Sequence, residues 1–451
     1  MAGFSRRALI RGSAALAFPA IVPSRVLGAN APSNRINVGA IGVGRISRIH
    51  DIKEVSKQAD AQIVAVCDLD TKRIAAGRRL VDEIYSANRI EGYSGTRGYA
   101  DHRALLANPD IDAVLISTPD HQHARLAIDA VRAGKHVYLQ KPASLTISEG
   151  RHMADAVEAS GKVLQIGSQQ RGQEPWLQFH RTCELVRNGR IGELRHVEIG
   201  LPGDPSGPEA PPMPVPPNLD YDAWLGSTPL VYYTEMRVHP QDGSFDRPGW
   251  LRCEQFGAGM ITGWGAHHVD IAHWGMDMEH SGPIEVWGKA EFPKSGLWNV
   301  HGPFETHARY ANGVTMTISG ALPNGIRFIG SEGWIFVTRS GAVTPSDPKG
   351  PQVDPLVASD PKILASVIGP NEIHLYRSAE QHRNWLDAIR SGAPVSAPAE
   401  IGHRACSTCL IHSIAMHVPR RLNWDPAKES FVGDHEANAM LSRPQRPKYA
   451  I

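Results

Sequence analysis

The chain has 451 residues, 41% hydrophobic and 21% charged, with a formal net charge of +1. That length accommodates two or three domains, each with its own core. The near-neutral balance excludes a polybasic binder of nucleic acid or anionic membrane. The five Cys cannot all pair, so no disulfide framework is implied. The ten Trp are compatible with stacking on the C–H faces of sugars as well as with ordinary core filling.

Ser5-Arg6-Arg7-Ala8-Leu9-Ile10-Arg11 precedes the apolar run 12–22, and small residues follow at Gly28, Ala29 and Ala31. The run is too short to cross a bilayer. Basic, apolar and small-residue zones in that order mark residues 1–31 as a cleavable export signal. The Arg pair resembles the twin-arginine class, which carries folded proteins. The expected product is exported (periplasmic where such a compartment exists), delivered by the twin-arginine machinery, and not membrane-bound after processing.

Residues 32–170 read as a first domain. Strand 36–41 is followed by Gly42-Val43-Gly44 and a helix opening at Arg45 and Ile46. The two glycines allow a tight turn and close approach of a pyrophosphate to backbone N–H groups, and the helix N-terminus adds donors and a favourable dipole. Ser47 stands at the third glycine position. A second strand, 62–67, ends at Asp68, 26 positions after Gly42; the usual spacing is about 20. An acid there hydrogen-bonds ribose hydroxyls and repels a 2′-phosphate, which favours NAD; Lys72 and Arg73 nearby keep NADP open. Strands at 113–116, 136–139 and 163–166 alternate with helices at 124–133 and 148–160, as in a doubly wound parallel sheet. Ligands bind beyond the carboxyl ends of such strands. The candidate cofactor contacts are therefore Gly42, Gly44, Arg45, Ile46, Asp68, Ser117, Thr118, Pro119, His121, His123, Gln140, Lys141 and Gln169.

Residues 171–451 read as a second, α+β domain. Segments 283–292, 305–310, 314–319 and 325–338 are rich in β-branched and aromatic residues and punctuated by Gly and Pro, as expected of antiparallel strands. Residues 202–217 form a Pro-rich loop, either a surface excursion or a wall of the site. Cys406 and Cys409 form one C-x-x-C inside a helical stretch, 401–417, and read as two packed thiols. No His cluster has metal-ligand spacing with supporting acids, so no metal is expected.

The chain resembles the glucose–fructose oxidoreductase/inositol dehydrogenase (Gfo/Idh/MocA) family. The resemblance rests on Gly42-Val43-Gly44, Asp68, STPDHQHARLAIDAVRAGKHVYLQKPASLT (117–146), GWGAHHVDIAHW (263–274) and HRNWLDAIRSG (382–392). It implies a nucleotide-binding domain followed by a domain with a large, mostly antiparallel sheet, oligomerisation, and NAD(P)-dependent oxidation of a sugar, polyol or glycoside hydroxyl. An exported member must load its cofactor before export and keep it. Lys141, after a strand and before Pro142, is a candidate to hydrogen-bond the substrate oxygen, and the Lys141–Pro142 bond is a candidate cis peptide. His267 stands where the family places its general acid/base, a role suited to imidazole. Asp270, three residues on and on the same helical face, is a candidate partner for it. Gln170, Arg171, Trp250, Arg252 and His268 are candidate substrate contacts.

Two positions depart from the family. Gln140 replaces the usual Glu before Lys-Pro, and Gly263 replaces an Asp four residues before the His. The missing carboxylate leaves a second reading open: a cofactor-recycling glycosidase or lyase that oxidises a ring hydroxyl, eliminates the glycosidic group and returns the hydride. A non-catalytic sugar or nucleotide sensor is a third.

Overall fold

The computed structural model describes residues 34–88, 93–243, 248–341 and 353–451, and the export-signal segment lies outside them. The first sheet comprises β1 (Ile36–Ile41), β2 (Ala61–Cys67), β3 (Arg97–Tyr99), β4 (Ala113–Ile116), β5 (His136–Leu139) and β6 (Leu164–Ile166). All its pairings are parallel, in the order β3-β2-β1-β4-β5-β6. The β1, β4 and β5 side chains are buried almost throughout, as expected of strands covered on both faces.

Helices punctuate the sheet where their capping chemistry dictates. Thr146 and Glu149 form a reciprocal capping box at the start of helix Ile147–Ser160. Helix Asp120–Arg132 starts directly after Pro119, four residues earlier than the pattern indicates. At Gly42, φ is +83°, and a Cβ would come within 2.7 Å of Thr118 Cγ2 and 2.8 Å of the Ser117 carbonyl oxygen. Only glycine lets β1 turn that close to the end of β4.

The second sheet contains β7 (Leu194–Gly200), β8 (Glu285–Ala290), β9 (Phe304–Arg309), β10 (Thr315–Ser319), β11 (Gly325–Gly330), β12 (Trp334–Val337), β13 (Leu356–Ala358), β14 (Leu422–Asp425) and β15 (Ser430–Phe431). Its order is β13-β12-β11-β7-β10-β9-β8-β14-β15, antiparallel except between β7 and β10. The single run expected at 325–338 is a hairpin, β11 and β12, broken at Ser331-Glu332-Gly333. Helices Gly265–Met276 and Ala399–His417 pack between the sheets. They cross at Gly265, where a Cβ would stand 3.3 Å from Cys409 Sγ. Cys406 and Cys409 are buried free thiols. The Pro-rich loop is tied back through Asp204, whose carboxylate accepts from Met260 N at 2.6 Å.

Late in the chain, helix Gln381–Ser391 returns to the first sheet. Trp385 and Leu386, both fully buried, join Val38, Ile63, Leu115 and Tyr138 in one core cluster. The Trp385→Ala variant is expected to lose about 3–5 kcal/mol of stability, read from the urea midpoint; an unchanged midpoint would contradict this packing.

Candidate active site

A cavity of about 490 Å³ lies beyond the carboxyl ends of β1, β2, β4 and β5. Gly42, Gly44, Arg45, Ile46, Asp68, Ser117, Thr118, Pro119, His121, Gln140, Lys141 and Gln169 line it. Asp68 Oδ2 accepts from Val43 N at 2.7 Å, and Oδ1 accepts from Asp70 N at 3.0 Å. The acid is thus fixed against the glycine turn. Arg48 and Arg73 also line this end, so its field is mixed rather than purely acidic. The roof is the excursion 218–241, anchored by Asp70. That buried carboxylate accepts from Asn218 at 2.7 Å, His239 at 2.9 Å and Gln241 at 3.1 Å, and these bonds hold its carboxyl well below the usual range.

Beneath the floor lies Asp51, fully buried on a stretch of wide, π-helical winding at Ser47–Asp51. Its carboxylate accepts from Ser117 Oγ at 2.7 Å and Gln140 Nε2 at 2.8 Å, with His50 Nδ1 at 3.1 Å and His382 Nε2 at 3.3 Å. The other His382 nitrogen faces Glu380 at 2.7 Å. Flanked by two carboxylates, His382 is an imidazolium pushed up to about 9, while Glu380 is held down at about 2. His50, Asp51 and His382 each offer one ligand atom within 4.8 Å of the others, a metal-compatible grouping that the sequence spacing did not reveal.

At the other end, Lys141 follows β5 through a cis bond to Pro142. Its ammonium donates to the Gly263 carbonyl at 2.5 Å. The position that lacks a carboxylate therefore meets the lysine through its backbone. Steric crowding does not dictate glycine there, since a Cβ would make only ordinary contacts, 3.4 Å and longer, with Met260. His267 lines the cavity from helix Gly265–Met276. Burial, with Arg339 and Lys141 nearby, pushes its imidazole well below the ordinary range, so it is neutral. The Gln170 amide supports this wall: in the orientation that satisfies both neighbours it donates to the His267 carbonyl at 3.1 Å and accepts from Arg339 Nε at 3.0 Å. The Arg339 guanidinium lies over Trp176 at 4.0 Å and Trp264 at 5.0 Å. Trp176, Trp224, Trp250 and Trp264 all face the cavity.

Several expected contacts lie elsewhere. Asp270 does not meet the His267 imidazole or the cavity; it is buried in a bidentate pair with Arg171, at 2.7 and 2.8 Å. Arg171 also binds Glu279 at 2.7 Å and the Ser396 carbonyl at 3.1 Å. Asp270, at helical spacing from His267, meets instead an opposite charge from the segment after β6, 99 positions away. His268 turns to Asn324 Oδ1 at 2.9 Å. His123 spans the Pro142 and Thr118 carbonyls behind the wall, at 2.6 and 2.9 Å. Gln170 supports the wall without lining it, and Arg252 stacks on Trp298 outside the cavity. Sequence reasoning missed Asp120, which lines the cavity one residue after the Ser-Thr-Pro turn and was reachable by the same strand-end logic. Arg339, Trp176 and Asp51 carried no local signal.

Residues 36–168 match the family profile "Oxidoreductase family, NAD-binding Rossmann fold", and 206–343 with 371–451 match "Oxidoreductase family, C-terminal alpha/beta domain". The chain is similar to the uncharacterized oxidoreductase YrbE of Bacillus subtilis (30% identical, 47% of this chain, 53% of that protein). It is also similar to glycosyl hydrolase family 109 protein 1 of Shewanella sp. MR-4 (32%, 39% and 37%) and inositol 2-dehydrogenase of Pseudomonas savastanoi pv. phaseolicola (34%, 35% and 43%). The matches thus span about half of these relatives or less. Among solved structures, GenD2 from gentamicin A biosynthesis in complex with NAD shares the fold, with a TM-score of 0.58 at 19% identity over 87% of this chain and 97% of that one.

The Asp51 cluster makes stability pH-dependent. In the folded chain His382 holds its proton up to about 9, against an ordinary value of 6.5. Its stabilisation is therefore complete below pH 6.5 and lost as pH rises through about 9. Wild type is expected to lose stability to denaturant across that window, and His382→Gln is expected to show a flatter profile. Parallel curves would contradict the imidazolium assignment.

Proposed function

Because the chain belongs to the Gfo/Idh/MocA oxidoreductase family, we propose that it is an NAD(P)-dependent oxidoreductase acting on a sugar, polyol or glycoside hydroxyl. The observation that carries this reading is one continuous cavity. It holds the glycine turn and Asp68 at one end and Lys141 and His267 at the other, with four Trp in its walls. The residues fit a dinucleotide: Gly42 makes the tight turn after β1 that a Cβ would jam against Thr118 and Ser117, Gly44 and the helix start beyond it line the cavity, and Asp68 is preset by two backbone donors. When bound, such a cofactor supplies hydride acceptance and return. The protein's own groups do the rest. Lys141 polarises the substrate oxygen, neutral His267 hydrogen-bonds it, and the Trp faces hold the ring and exclude water.

Residues 1–31 support export by the twin-arginine route, and an exported enzyme of this kind retains its cofactor. A latch over the cavity favours retention. Asp222, on helix Tyr221–Leu225, pairs with Arg446 and accepts from Lys448 Nζ at 2.9 Å and Tyr449 OH at 2.8 Å. Arg125 binds the Ala450 carbonyl at 3.0 Å. Lys448 and Tyr449 themselves line the cavity.

A second reading, redox-neutral glycoside cleavage, is favoured by the match to a glycosyl hydrolase family 109 protein and by the carbonyl, rather than a carboxylate, that Gly263 presents to Lys141. Incubation with aryl glycosides in deuterated water separates the two. Cleavage with deuterium beside the oxidised carbon supports the second reading, and intact glycoside with reduced nucleotide supports the first.

The purified full-length protein is expected to release a nicotinamide dinucleotide on denaturation, identified by mass. Its absence would sink the retained-cofactor reading. Asp222→Ala is expected to retain severalfold less nucleotide after gel filtration, and equal retention would remove the latch from the account.

A further inference from the structure

Among the described residues, Asp120 is the acidic side chain that lines the cavity beside Lys141 and His267, and its one hydrogen-bond donor is its own backbone N–H at the start of its helix. It opens helix Asp120–Arg132, is 4% exposed, and lines the cavity with Lys141, Gly263 and His267. The loop at Gly257 closes over it, so that a Cβ there would stand 3.5 Å from Asp120 Oδ2. No side chain among the described residues donates a hydrogen bond to its carboxylate. By contrast, Asp51, Asp70 and Asp270 are consumed by partners on several elements.

We propose that Asp120 is the catalytic proton acceptor and donor, supplying from the strand-end turn the carboxylate that Gly263 lacks. This rests on the oxidoreductase reading. In the oxidising direction the substrate O–H breaks and its proton passes to the Asp120 carboxylate. The C–H electron pair leaves as hydride to a nicotinamide dinucleotide, and the C=O bond forms with its oxygen held by the Lys141 ammonium. In reduction Asp120 returns the proton.

The surroundings suit that task. Burial pushes the Asp120 carboxyl up to about 8, against the pull of Lys141. The other titratable groups around it are His121 and His123 on its own helix, His267 on Gly265–Met276 and Cys406 on Ala399–His417. Burial keeps all three imidazoles and the thiol neutral near pH 7. A carboxyl that titrates near working pH is matched to proton exchange.

The test compares full-length wild type and Asp120→Asn, each with its retained nucleotide. Reduction of that nucleotide is followed at 340 nm over a panel of sugars and polyols from pH 6 to 10. Asp120→Asn is expected to keep its nucleotide and lose roughly 100-fold or more in rate, and the wild type's rise through about pH 8 should vanish. A variant matching an active wild type in rate and pH profile would overturn the proposal and leave the oxidoreductase reading standing. A wild type that reduces its nucleotide with no compound would overturn the reading itself.

A second readout needs no substrate. A carboxyl with a raised folded value stabilises most below the ordinary 3.8 and loses that contribution as pH rises through about 8. Wild type should therefore fall in stability relative to Asp120→Asn over that interval. A difference independent of pH would overturn the assignment of Asp120 as a group that titrates there.

Discussion

The buried anion of Asp51 is the constraint on which the site depends. A carboxylate with no exposure to water is tolerated only when its oxygens are saturated by donors. Here the donors come from four segments: His50 beside it, Ser117 at the end of β4, Gln140 at the end of β5 and His382 on a helix more than 300 residues later. Satisfying one charge therefore sets the relative positions of two strand ends and a distant helix. It also explains Gln140. A Glu at that position would press a second carboxylate against Asp51, whereas the amide donates to it. The amide at 140 is thus matched to the charge at 51.

Above that floor, the reacting end is built the opposite way. His121 and His267 are kept neutral by burial, Trp rings form the walls, and Lys141 rests on a backbone carbonyl. In such surroundings a single ammonium acts on a developing alkoxide with little screening. Arg339 is held over Trp176 and Trp264 in the wall, burial favours the neutral form of Asp120, and Arg171 and Asp270 neutralise each other in a bidentate pair outside the cavity.

Much of this was legible in the sequence, for identifiable reasons. β1, β4 and β5 fall at their expected bounds because continuous apolar runs ending in Gly, Ser-Thr-Pro or Gln-Lys-Pro leave no other place for a strand to stop. β7 went unread because Arg195, His196 and Glu198 interrupt its apolar pattern, one face of the strand being more open. Asp270 was misread because helical spacing says which side chains share a face but not which distant residue meets that face; Arg171, 99 positions away, does. Asp51 was invisible for the same reason, its partners lying 66, 89 and 331 positions along the chain.

The return of helix Gln381–Ser391 to the first sheet bears on how this protein can be recombined. Tyr138 stacks on His382 with ring centroids 4.3 Å apart, and Trp385 fills the same core. Cutting the chain after β6 would strip the nucleotide-binding half of that cover and take from Asp51 its His382 partner. The module that can be transplanted into a relative is thus discontinuous: the leading segment and a short helix encoded two hundred residues downstream of its end must travel together. Crossovers placed between them would join halves whose interfaces were never selected to meet.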